Sequence, residues 1–92
     1  MDLRHQKVCA DVAKINVERL ARRIRRCARQ NAKAGYVSAW VTLHREKPWH
    51  STPTKRAVKE VILPKLAQIL GDSEMHIWVE RPFYQTHIAF SW

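Results

Sequence analysis

The stretch A-G-Y-V-S-A-W-V-T-L, Ala34 to Leu43, decides the fold, because within it the apolar period changes from helical to two. Upstream, Cys9, Ala13, Val17, Leu20, Ile24 and Cys27 recur at spacings of three and four, which predicts one long amphipathic helix from about His5 to Lys33. Asp2 and Asp11 stand at or near its start, Arg and Lys crowd its second half, and Gly35 stands where a left-handed cap is expected. Downstream, Val37, Ala39, Val41 and Leu43 alternate with Tyr36, Ser38, Trp40 and Thr42, a strand with one face to bury.

His44 to Ser51 shows no period and reads as a loop. Thr52 before Pro53 predicts an N-cap with proline at the first helical position, and Val58, Val61, Ile62, Leu66, Ile69 and Leu70 form a second helical stripe ending at Gly71. Pro64 should kink or split that helix. From Met75 to Trp92 the alternation returns with a break at Arg81 and Pro82, which predicts a hairpin. The fold class is α+β. The order α-β-α-β-β places two helices on one face of a three-stranded, mostly antiparallel sheet, a two-layer sandwich over residues 1–92 as a single domain.

The chain carries 17 Lys+Arg against 8 Asp+Glu, a net charge of +9. That excess calls for an anionic partner. With no 18-residue apolar run and no lipidation motif, nucleic acid is favoured over a membrane, and a cytoplasmic location follows as the expectation. Cys9 and Cys27, set ~27 Å apart along a continuous helix, are expected to be free thiols.

Three groups of residues carry the functional reading. Arg22, Arg25, Arg26, Arg29 and Lys33 fall on the helix half opposite Leu20 and Ile24, with Glu18 the local acidic neighbour, and guanidinium groups bind phosphate oxygens bidentately. Trp40 and Trp78, with Tyr36, His76, Gln85 and His87, are expected on the open face of the sheet, while Val37, Val41, Ile77 and Val79 face the helices. Such a face stacks unpaired bases in several RNA-binding folds, or packs against a second copy. Lys47, Trp49 and His50 form an aromatic and basic loop with Lys55 and Arg56 just beyond it.

The five histidines lack paired Cys/His spacings, so no metal, cofactor or small-molecule substrate is expected. Catalysis without metal by His76, Arg81, Tyr84 and His87, as in a ribonuclease toxin, is the rival reading, and a partner protein for an acidic surface is a third. In whole-chain character the sequence resembles small phage-encoded inhibitors, anti-CRISPR proteins in particular, through R-R-I-R-R at Arg22 to Arg26 and K-P-W-H at Lys47 to His50. The resemblance implies occupancy: a non-enzymatic protein, monomer or dimer, acting in a bacterial host cytoplasm by covering the guide RNA or target DNA surface of a ribonucleoprotein complex.

Overall fold

In the computed structural model, which describes residues 2–71 and 75–92, Asp2 opens the first helix, α1 (Leu3–Val12). Its carboxylate accepts from the backbone N–H groups of Arg4 and His5, donors that a helix start leaves without an internal partner. The helix does not run on to Lys33. After a short connection Asn16 caps a second helix, α2 (Val17–Lys33), accepting from the Arg19 N–H at 3.0 Å.

The single long helix expected from the sequence is therefore two, and the apolar phase is corrected with it. Helix α1 buries Val8 and Val12, the connection buries Ile15, and Ala13 is exposed. Asn16 is the physical reason, since its short amide satisfies backbone donors better from a cap than from a helix interior. The separation of Cys9 and Cys27 along one axis is withdrawn too; both are half-buried free thiols.

Helix α2 ends as its sequence requires. Gly35 takes φ +90°, Gly35 N–H donates to the Ala32 carbonyl and Tyr36 N–H to that of Asn31, the paired bonds of a Schellman cap. Strand β1 (Ser38–Thr42) follows at once. Val37, expected to face the helices, precedes the strand and is exposed.

Thr54, and not Thr52, caps the second helical segment, accepting from the Ala57 N–H at 3.1 Å. Pro53 stays outside because its carbonyl accepts from the Thr86 hydroxyl at 2.6 Å and from the Arg81 guanidinium at 3.3 Å. The segment runs as α3 (Lys55–Ala57), a π turn (Val58–Ile62) and α4 (Leu63–Ile69). Pro64, which cannot donate to the preceding turn, sits at the start of α4, and the wide π turn before it absorbs the missing bond.

Strand β2 (His76–Glu80), a one-turn 3₁₀ helix (Pro82–Tyr84) and strand β3 (His87–Ser91) complete the chain. The sheet is antiparallel in the order β1-β3-β2, so the last strand is the central one. Pairing sets two core-facing rows, Ala39–Phe90–Ile77 and Val41–Ile88–Val79. Against them pack Leu20, Ala21, Ile24 and Ala28 of α2 and Val58, Ile62 and Leu66 of the second helical segment. The fold is the expected α+β arrangement of helices over a small open sheet, with one more helix at its start. Among the described residues no helix is long and apolar enough to cross a membrane.

Asp11 ties α1 to the loop before α3. Its carboxylate accepts from Ser51 N–H at 2.8 Å and from Lys7 Nζ at 3.1 Å, and these bonds, the backbone one first, hold its pKa well below the usual carboxylate range. A depressed folded-state pKa stabilises above the unfolded value near 4 and the benefit is lost as pH falls through the folded value. Thermal unfolding followed by circular dichroism should therefore give a lower Tm for Asp11→Asn at pH 7. The gap between variant and parent should narrow steadily below about pH 4.

Candidate nucleic-acid interface

Because α2 buries Leu20, Ala21, Ile24 and Ala28, its opposite side must face solvent, and there the chain places Arg22, Arg26, Arg29 and Lys33. These four lie at steps of four, three and four residues and form one row ~16 Å long. The ion pairs among the described residues centre on Asp11 and Glu60, and none includes an arginine of α2. Glu18, the acidic neighbour expected from sequence, is exposed in the first turn of α2 and does not pair with Arg22. Unpaired cations at such spacing raise one another's cost, which an anion running along the row removes.

Two arginines of the R-R-I-R-R run serve the fold. Arg23 donates to the Thr42 carbonyl at 3.2 Å and Arg25 to the Ile69 carbonyl at 2.9 Å, stapling α2 to the ends of β1 and α4. Arg25 therefore flanks the row and does not belong to its centre.

The open face of the sheet is a grid of three rows: Ser38–Ser91–His76, Trp40–Ala89–Trp78 and Thr42–His87–Glu80. Trp40, Trp78, His76 and His87 are where the sequence puts them. Ala89 faces the same way yet is only 4% exposed, because the two indoles of its row stand over it from either side. Trp40 stacks on His87 with centroids 5.9 Å apart and planes 11° from parallel, and Trp78 donates from Nε1 to Glu80 at 2.8 Å. Tyr36 and Gln85 lie outside the strands and are exposed beside the grid.

The grid contains no lysine or arginine and one carboxylate. It can stack a flat ring or bury an apolar surface, but it does not supply charge for a phosphate chain. The helices stand between the grid and the arginine row, so the two surfaces look in opposite directions.

In the loop, Trp49 is exposed and meets His50 edge-on at 6.0 Å, whereas His50 is buried and its backbone bonds Lys47 and Arg45. Trp49, Lys47, Lys55 and Arg56 remain surface groups, while His50 is part of the interior. Arg56 is engaged with Glu60 at 3.2 Å.

The candidate ribonuclease set does not converge. His76 pairs at one end of β2 with Ser91, while His87 pairs with Glu80 at the other, four residues or ~13 Å along the strand. Arg81 is bonded to the Pro53 carbonyl. Sequence reasoning passed over Phe83, which with Tyr84 occupies the left-handed region, φ 50° and 67°. Both rings are 94% and 89% exposed at the tip of the β2–β3 connection. Two adjacent aromatic residues held there cost on the order of 1–2 kcal/mol each; Pro82, which starts that turn, was the available signal. No protein-family model, curated protein or solved structure was found to match the chain.

Proposed function

We propose that the protein is a non-enzymatic nucleic-acid-binding protein that grips a phosphate backbone along the outward row of α2. One observation carries the reading: Arg22, Arg26, Arg29 and Lys33 stand in a line on a rigid helix with no carboxylate paired to them, in a chain of net charge +9. Arginine forks match phosphate oxygens in geometry, and each contact releases condensed counterions. The sheet grid, lacking cations, serves as a second contact for a base or an apolar protein surface.

Binding to short single-stranded RNA and to duplex DNA, followed by anisotropy of the labelled nucleic acid, tests the proposal. Roughly four phosphate contacts give a log–log salt slope of about −3.6 on duplex DNA and about −2.8 on single-stranded RNA, or about a 150-fold and about a 50-fold loss of affinity between 50 and 200 mM salt. Absence of binding to either, with capture of a host protein that survives nuclease treatment, would instead establish the acidic-surface reading. In its most specific form the proposal is a phage-type inhibitor that covers the guide RNA or target DNA surface of a CRISPR complex. Inhibition of target binding by a purified surveillance complex decides that form separately.

A further inference from the structure

Helix α1 and the π turn meet at three side chains that lie outside the phosphate row. His5 and Cys9 are one turn apart on α1 and face the same way; Glu60, 51 positions after Cys9, comes from the π turn. His5 Nε2 lies 2.8 Å from Glu60 Oε2 and 3.4 Å from Cys9 Sγ, and the thiol lies 3.9 Å from the same Glu60 oxygen. Three atoms of three kinds, an imidazole nitrogen, a sulfur and a carboxylate oxygen, form one small triangle.

A Cys-His-Glu nucleophile relay does not fit it. A relay needs the thiol at one ring nitrogen and the carboxylate at the other, so that the ring takes a proton while being oriented. Here both partners lie nearest Nε2, the sulfur at 3.4 Å from it against 4.0 Å from Nδ1. Burial, and then the Glu60 charge, push the Cys9 thiol pKa up, opposite to what a nucleophile needs.

The triangle does fit a shared cation. Tetrahedral zinc with bonds of about 2.0–2.1 Å to nitrogen and oxygen and about 2.3 Å to sulfur sets its ligand atoms about 3.3 Å (N···O) and about 3.6 Å (N···S and O···S) apart. The observed edges of 2.8, 3.4 and 3.9 Å reach those lengths by shifts of about 0.5, 0.2 and 0.3 Å. Glu60 also has an outer partner: its other oxygen, Oε1, accepts from Arg56 Nε at 3.2 Å, which leaves Oε2 directed at the triangle. Carboxylate ligands are commonly held this way from behind. The π turn, a widening frequent at functional positions, is what carries Glu60 to this face.

We infer that His5 Nε2, Cys9 Sγ and Glu60 Oε2 form a three-ligand binding site for a divalent zinc-class metal, with the fourth position open to solvent on the exposed side of Glu60. Binding replaces the His5–Glu60 hydrogen bond with two metal bonds, the ring then keeping its one proton on Nδ1, and displaces the Cys9 thiol proton to solvent, so the sulfur coordinates as thiolate. The ion clips α1 to the π turn. Imidazole, thiolate and carboxylate together suit zinc or cobalt(II) and disfavour calcium and magnesium, which take oxygen ligands.

The test uses the untagged full chain, stripped with chelator, kept reduced and titrated with cobalt(II) and then zinc. One equivalent of cobalt(II) should bring up the visible bands of a four-coordinate ion and a thiolate-to-metal charge-transfer band, both removed by zinc. Zinc at about one hundred times Kd should raise Tm on the order of 10 °C. Cys9→Ser, which keeps the volume of the side chain, should abolish the charge-transfer band, and Glu60→Gln should weaken zinc binding at least tenfold while leaving the circular dichroism spectrum unchanged. A charge-transfer band that persists in Cys9→Ser, zinc binding equal in Glu60→Gln and parent, or no cobalt signal at equimolar metal would each overturn the assignment.

Discussion

Replacing Arg22 and Arg26 together by glutamine is expected to weaken nucleic-acid binding by about 100-fold or more at low salt, taking each charge-assisted bond as about 1.5–3 kcal/mol. On duplex DNA it should also cut the salt slope from about −3.6 to about −1.8, so that the fall between 50 and 200 mM shrinks from about 150-fold to about 12-fold. The slope is the decisive readout, since a general loss of fold would not change it by a set amount per charge. Both arginines are exposed and unpaired, and glutamine matches arginine closely in helix propensity, so Tm should stay within about 2 °C of the parent. Arg23→Gln is the internal control. It removes the bond to the Thr42 carbonyl and should lower Tm while leaving the slope alone. A double variant that binds with the parent slope would remove the α2 row from the interface.

The second large effect is on stability. Phe90→Ala should cost about 3–5 kcal/mol out of a total of roughly 5–14 for a chain of this length. Phe90 lies on the central strand, is 0% exposed, and stands between Ala39 and Ile77 in its core-facing row. A small neighbour such as Ala39 cannot relax into the cavity left behind. Thermal and denaturant melts should show a population already partly unfolded near 37 °C. Trp78→Ala, on the other face of the same sheet, removes a larger ring and should cost far less, because that ring is partly exposed. Equal costs for the two would mean that the grid is itself a core, with no surface left for a partner.

Much of this architecture was legible in the order of residues. Gly35 and the alternation after it identified the helix end and strand β1, and the grid residues Trp40, Trp78, His76 and His87 followed from parity alone. What escaped was phase. A helical stripe tolerates drift of tens of degrees, so Cys9, Ala13 and Val17 read as one face with Leu20 although the chain turns between Ala13 and Asn16. The cap expected at Thr52 falls instead on Thr54, because the Pro53 carbonyl accepts from Thr86, 33 residues away. The His5–Cys9 pair was visible as a helical spacing, but its third member comes from 51 residues beyond Cys9, and no local pattern joins them. The same limit applies to the arginine row and the aromatic grid: charge and aromaticity are read along the chain, and which side of a layer they reach is decided only by packing.

The separation of those two surfaces governs how they respond to solvent. The molecule measures 21 Å across its shortest dimension, more than twice the ~8 Å over which physiological salt screens a charge. The field of the arginine row is spent before it reaches the grid, so added salt would detach a phosphate chain held as proposed on the helix and leave a contact on the sheet untouched. Excluded salts such as sulfate go further and strengthen apolar contact. A gradient of ionic strength would therefore sort the partners of this protein by the side they occupy, electrostatic ones leaving first and those held on the indoles last.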